Sequence, residues 1–125
     1  MNSSVLLIED EAADAELMKI VFAEEAPDVT IIPRADGEMG LQYLQHAMPD
    51  LIILDLNLPL VSGKEVLQRL KKDSKFASIP VLIFSSSVSA ADIDECTRLG
   101  AVAYMQKPLS LRETHDMVRQ MLIYL

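Results

Sequence analysis

Five side chains in this sequence could do chemistry together, because each follows a short apolar run. Glu9 and Asp10 follow Val5-Leu6-Leu7-Ile8, and Asp55 follows Leu51 to Leu54. Ser85 follows Pro80 to Phe84, and Lys107 follows the weaker run from Ala101 to Met105. Neighbouring carboxylates repel one another unless a cation lies between them. Hard oxygen donors suit Mg²⁺ (or Mn²⁺), which keeps several waters and takes one or two carboxylates from protein. Glu9, Asp10 and Asp55 supply a formal −3, and a divalent ion with Lys107 supplies +3. A site balanced in this way can accept a phosphoryl group, since metal and ammonium neutralise the transferring oxygens. Asp55 is then the nucleophile, because an ionised carboxylate needs no general base. Ser85 stands where its hydroxyl would hydrogen-bond a phosphoryl oxygen.

The elements that must position these residues are legible in the apolar pattern. Val5–Ile8, Val29–Pro33, Leu51–Leu54, Pro80–Phe84 and Ala101–Met105 are too short for helices. They are apolar throughout rather than alternating, which suits parallel strands covered on both faces. Helix signals fill the intervals. Ser62/Glu65, Ser89/Asp92 and Ser110/Glu113 have capping-box spacing. Asp36-Gly37 opens the helix carrying Leu41 and Leu44, and Gly100 stands where the fourth helix should stop. Leu17, Ile20 and Val21 mark a helix after the first strand. The order is β-α five times, which implies a three-layer α/β domain over residues 1–125: a doubly wound parallel sheet with right-handed crossovers. In such sheets the functional crevice lies at the carboxyl ends of the strands. Glu9, Asp10, Asp55, Ser85 and Lys107 all fall on that edge.

Composition narrows the classes. The chain has 125 residues, half of them apolar, enough for one packed core. Nineteen acidic against eleven basic side chains give a net charge of −8, which opposes a direct grip on nucleic acid. Arg69, Lys71, Lys72 and Lys75 form a short basic cluster that reads as a solvated helix end. Cys96 stands alone and cannot form an internal disulfide, so a reducing cytoplasm is expected. No apolar stretch reaches the roughly 18 residues of a membrane span, and the N-terminus has no signal-peptide pattern.

At Leu7-Ile8-Glu9-Asp10, Ile53-Leu54-Asp55-Leu56-Asn57-Leu58-Pro59, Ser85, Tyr104 and Lys107-Pro108 the sequence resembles the receiver domains of two-component signalling, of the chemotaxis-regulator-like type. The elements come in that family's order and spacing over nearly the whole chain. The resemblance implies the flavodoxin-like strand order 2-1-3-4-5. It implies that Asp55 is the phosphoacceptor for a sensor histidine kinase or phosphotransfer protein. Asp10 would be a direct metal ligand, Glu9 a ligand through water, and Asn57 the donor of a backbone carbonyl. Lys107 would contact the phosphoryl group, with its bond to Pro108 cis, and Ser85 and Tyr104 would be the coupled switch pair. Glu9 stands where many members have Asp, and Ser85 where Thr is commoner; both keep the needed oxygens. With no output domain expected, the sequence is most similar to stand-alone receivers, some of which pair with phytochrome-type kinases, and its signal would pass by contact with a downstream protein. The expected role is a signalling switch rather than an enzyme.

Taken singly, these residues have ordinary explanations. Glu9, Asp10 and Glu11 suit a helix N-terminus, Asp55 a turn, Ser85 a cap, Lys107 a surface and Tyr104 the edge of a sheet. Independent causes do not explain their joint arrival at successive strand ends. His46 and His115 lie at no strand end and read as helix residues. Three rival functions remain. A phosphohydrolase of the haloacid-dehalogenase type would need an acid at position 57, where Asn57 cannot protonate a leaving group. A flavodoxin-like electron carrier needs a Gly/Ser/Thr phosphate loop after the first strand, where Glu9-Asp10-Glu11 would repel phosphate. A receiver-like module that is never phosphorylated, and acts only by protein interaction, is the third.

The last helix carries two apolar stripes. Leu111, Val118, Leu122 and Leu125 are expected to face the core, leaving Met117, Met121 and Tyr124 as a second stripe. A helix on one sheet needs only about a 100°-wide apolar face, so the second stripe suggests homodimerisation or target binding.

Overall fold

The apolar runs build the sheet that the sequence implies. In the computed structural model, which describes residues 2–125, five strands alternate with five α-helices. They are β1 (Ser3–Ile8), α1 (Ala12–Glu25), β2 (Val29–Arg34), α2 (Gly37–Leu44) and β3 (Leu51–Leu54). α3 (Gly63–Lys72), β4 (Val81–Ser85), α4 (Ala90–Leu99), β5 (Ala103–Gln106), α5 (Leu111–Met121) and a 3₁₀ turn (Leu122–Tyr124) complete the chain. All strand pairs are parallel, in the order 2-1-3-4-5. β4 starts one residue later than expected, because Pro80 has no N–H to give the ladder; its carbonyl still accepts from Ile52 N at 3.0 Å.

Strand side chains alternate between two cores. Leu6, Ile8, Ile52, Leu54, Val81 and Ile83 face a cluster closed by Leu44, Val66, Leu67, Leu70 and Cys96, from α2, α3 and α4. Val5, Leu7, Leu51, Ile53, Leu82 and Phe84 face Met18, Val21 and Phe22 of α1 and Met117, Val118 and Met121 of α5. The chain runs outward from β1 to β2, then back across it to β3, so the winding direction reverses between β1 and β3. Right-handed crossovers then put α1 and α5 on one face and the other helices opposite. Every residue of β3 and β4 is buried, as a central strand requires, whereas the edge strands β2 and β5 are mixed.

The expected caps form. Asp36, Ser62, Ser89 and Ser110 each accept a hydrogen bond from the N–H three residues on. Gly100 takes the left-handed conformation, φ 105°, that closes α4.

The phase of α5 differs from expectation. Thr114, Met117, Val118 and Met121 are buried, whereas Leu111 is 58% and Leu125 40% exposed. The stripe runs i, i+3, i+4, i+7 through a threonine that a count of apolar residues passes over. Thr114 can be buried because its hydroxyl donates to the Ser110 carbonyl at 2.9 Å. The two methionines are therefore core, and the homodimer expected through this helix loses the exposed stripe on which it rested. Met121→Ala should cost about 2–5 kcal/mol through the cavity it leaves. Leu111→Ala should stay within about 0.5 kcal/mol. Thermal unfolding of the two variants checks this, and the reverse ranking would contradict the observed phase.

Candidate functional site

Each site residue is fixed where its strand stops. Glu9 N donates to the Arg34 carbonyl at 2.9 Å, and Asp55 N to the Ile8 carbonyl at 3.1 Å. These bonds hold the first residues beyond β1 and β3 against the sheet, at the point where the winding reverses. Past Asp55 the chain turns sharply. Gly63 N donates to the Leu56 carbonyl at 3.0 Å, and a Cβ on Gly63 would lie 2.1 Å from the Asp55 carbonyl oxygen. Glycine is thus required at the start of α3 to let Asp55 sit where it does.

The carboxylates converge. Glu9, Asp10 and Asp55 each offer an oxygen within 4.8 Å of the others. Glu9 and Asp55 are buried, each 3% exposed, and Asp10 is exposed. Lys107 reaches in from beyond β5, its Nζ 2.8 Å from Glu9 Oε1, 3.0 Å from Asp14 Oδ2 and 3.2 Å from Asp55 Oδ2. Asp55 Oδ1 accepts from Asn57 N at 3.2 Å, and Glu9 Oε2 from Glu11 N at 3.1 Å. Glu9 Oε1, although near the ammonium, lacks a hydrogen bond of good geometry. A buried carboxylate oxygen left in that condition, beside two further acids, fits a hard divalent cation.

Burial pushes the Glu9 carboxyl up to about 7, against the pull of Lys107 and the Glu11 N–H, with Asp55 adding repulsion. Burial also opposes the charge on Lys107, but Glu9, Asp14 and Asp55 outweigh it and hold the ammonium above its ordinary range. The raised Glu9 value means that the folded state binds this proton more readily than the unfolded state does. Its contribution to stability is full below the unfolded value near 4.5 and is lost as pH rises through about 7. With chelator present, the difference in unfolding free energy between wild type and Glu9→Gln should therefore grow from pH 5 to pH 8, in favour of the variant. The change is up to about 3 kcal/mol, and a pH-independent difference would contradict it.

At the end of β4, Ser85 is fully buried. Its Oγ accepts from Ser87 N at 3.2 Å, and the Tyr104 hydroxyl donates to the Ser87 carbonyl at 2.9 Å. Ser87 Oγ donates to Asp92 Oδ2 at 2.7 Å, and Asp92 pairs with Lys64 of α3 at 2.6 Å. The Ser85–Tyr104 pair is thus joined through Ser87 rather than directly. Lys107 N donates to the Ser85 carbonyl at 2.8 Å, tying the β4 and β5 ends together. The described residues contain no cis peptide bond, so the Lys107–Pro108 bond is trans and not cis as the resemblance implied. The structure brings Glu9, Asp10, Asp55 and Lys107 into one cluster, with Asn57 next to it. Two neighbours escape sequence reasoning: Asp14, which is four residues past Asp10 and so one helical turn along, and the Lys64–Asp92 pair, which no local spacing links.

The chain belongs to the response regulator receiver domain family, whose profile matches residues 5–119. It is similar to Response regulator Rcp1 of Synechocystis sp., with 32% identity over 122 residues, 92% of this chain and 83% of that protein. It is also 32% identical to Response regulator Rre1 of the same organism over 119 residues, and there the match covers 95% of this chain but about half, 51%, of the relative. The crystal structure of the phosphorylated cyanobacterial phytochrome response regulator RcpA superposes with a TM-score of 0.91 at 30% identity, covering 97% of this chain and 91% of that one. The Mn²⁺-bound form of Rcp1 does so with a TM-score of 0.88 at 31% identity, covering 95% and 91%. No helix among the described residues is long and apolar enough to cross a membrane.

Proposed function

We propose that this receiver domain is a phosphoryl switch in which Asp55 takes a phosphoryl group from the phosphohistidine of a sensor kinase or phosphotransfer protein. The observation that carries this reading is the buried Asp55 carboxylate at 3.2 Å from Lys107, with Glu9 and Asp10 oxygens inside the same 4.8 Å cluster. An Asp55 oxygen attacks phosphorus in line, the phosphorus–nitrogen bond breaks, and the imidazole leaves. Lys107 neutralises charge on the phosphoryl oxygens, and the Ser85 hydroxyl donates to one of them. Asp10 and Asp55 would hold Mg²⁺ (or Mn²⁺) directly, with the Asn57 backbone carbonyl, and Glu9 through water. When bound, that ion supplies charge neutralisation and in-line orientation of the phosphoryl oxygens. Water later hydrolyses the acyl phosphate slowly.

Drawing Ser85 toward the phosphoryl group breaks its bond from Ser87 N. The Tyr104 hydroxyl, held by the Ser87 carbonyl, is then released to turn inward. Through Asp92 the same movement reaches α4, so the face made by α4, β5 and α5 changes its affinity for a downstream protein, as a population shift between two packings. A net charge of −8 favours protein over nucleic-acid partners. The single buried thiol of Cys96 suits a reducing cytoplasm.

Intact-protein mass after incubation with Mg²⁺ and acetyl phosphate tests the reading. A gain of one phosphoryl group, abolished by chelator, is expected. No gain from acetyl phosphate or from a phosphorylated histidine kinase would overturn it in favour of a receiver that works by contact alone.

A further inference from the structure

Lys107 meets one more carboxylate than a metal-and-phosphoryl site needs. An ammonium has three N–H donors, and three carboxylates surround this one: Glu9, Asp14 and Asp55. Nζ also lies 5.4 Å from the centre of the Phe84 ring, which closes another side. A phosphoryl oxygen can reach Lys107 only by taking the place of one of the three. Asp55 changes from free carboxylate to acyl phosphate in the reaction itself. Glu9 cannot withdraw easily, because its side chain is fully buried and its other oxygen is held by Glu11 N at 3.1 Å. Asp14 stands in the first turn of α1 with its side chain 39% exposed, and its hydrogen bond to Lys107 spans 3.0 Å. It is the partner free to swing into solvent.

We infer that Asp14 is a positioning residue that tethers Lys107 and sets the bias of the site between cation and phosphoryl group. The inference rests on the reading of Asp55 as phosphoacceptor. With Asp14 bound, Lys107 is partly neutralised, which favours a cation among Glu9, Asp10 and Asp55. The same negative charge opposes the oxygens that arrive with the phosphoryl group. Removing it acts in opposite directions on the two ligands. The metal binds less well beside a fully charged Lys107, and the phosphoryl group binds better because it inherits an untethered ammonium.

The test is calorimetric titration of wild type, Asp14→Asn and Asp14→Glu, first with Mg²⁺ alone and then with fluoroberyllate, a phosphoryl mimic, at saturating Mg²⁺. Asp14→Asn should weaken Mg²⁺ and tighten fluoroberyllate, each by about fivefold, as expected for losing one partly exposed ion pair. Asp14→Glu should restore both toward wild type, since it returns the charge. Loss of a merely structural role would move both affinities the same way, and that result, or no change in either, would overturn the inference. If no variant binds fluoroberyllate, the Asp55 reading fails by itself. The Mg²⁺ titrations then decide Asp14: weakening in Asn that is recovered in Glu upholds the tether, and its absence refutes it.

Discussion

Asp55→Asn is expected to lower phosphoryl incorporation from acetyl phosphate by on the order of a thousandfold or more while leaving the fold intact. The variant keeps the shape of the side chain and an oxygen able to accept from Asn57 N, a contact of 3.2 Å in the present site. What it loses is the negative charge that the proposed nucleophile needs. Neither Glu9 nor Asp10 is an equivalent substitute. Glu9 is pinned by Glu11 N and lies against Lys107, and Asp10 is exposed. Removing one negative charge from a crowded buried cluster relieves repulsion, so the metal-free variant should unfold at the same temperature as wild type or higher. Circular dichroism melts alongside the mass assay separate loss of the carboxylate's charge from loss of the fold. A variant that still gains a full phosphoryl group would place the acceptor elsewhere.

Lys107→Met should have the largest effect on stability. The ammonium is 16% exposed at its side chain and faces the nearly buried carboxylates of Glu9 and Asp55 as well as Asp14. Breaking a buried ion pair from one side leaves unmatched charge, at a cost of about 3–5 kcal/mol. The folded-state pKa of Lys107 is raised, so its contribution is fully present below the unfolded value of 10.5 and is lost only in strong alkali. At pH 8 in chelator the variant therefore lacks a contribution that wild type holds in full. Without the lysine that pulls the Glu9 carboxyl down, that group takes up its proton at a higher pH than in wild type, and the deficit shrinks as pH falls toward 5. Mg²⁺ should bind the variant more tightly than wild type and recover much of the loss. Chemical unfolding at pH 5 and 8, with and without Mg²⁺, checks both parts. An equal loss at both pH values would mean that the lysine acts through packing of its stem rather than through charge.

Legibility in the sequence follows from where each signal lies. Strand ends were readable because Val5–Ile8, Leu51–Leu54 and Pro80–Phe84 are short and apolar on both faces, so the polar residue after each run marks the sheet edge. Caps were readable because Ser62, Ser89 and Ser110 act on the N–H three residues away, a local rule. The phase of α5 was not, because two adjacent stripes were both apolar and the deciding residue, Thr114, is buried by a hydrogen bond that hydropathy does not register. Asp14 gives no such local signal, for a related reason. Its partner, Lys107, is 93 residues away, and only the packing of α1 beside the β5 end brings them together. The Ser87–Asp92–Lys64 chain likewise needs α3 and α4 side by side before it exists. Local chemistry was visible, and contacts between helices were not.

Asp55, and no other acid of the cluster, is expected to carry the phosphoryl group. Borohydride reduction of the phosphorylated protein converts an aspartyl phosphate to homoserine, and fragment-ion mass spectrometry then locates the reduced residue. Homoserine at position 55 alone is the predicted result. Reduction at position 10 or 14, or a phosphorylated protein with no reducible acyl phosphate, would contradict it.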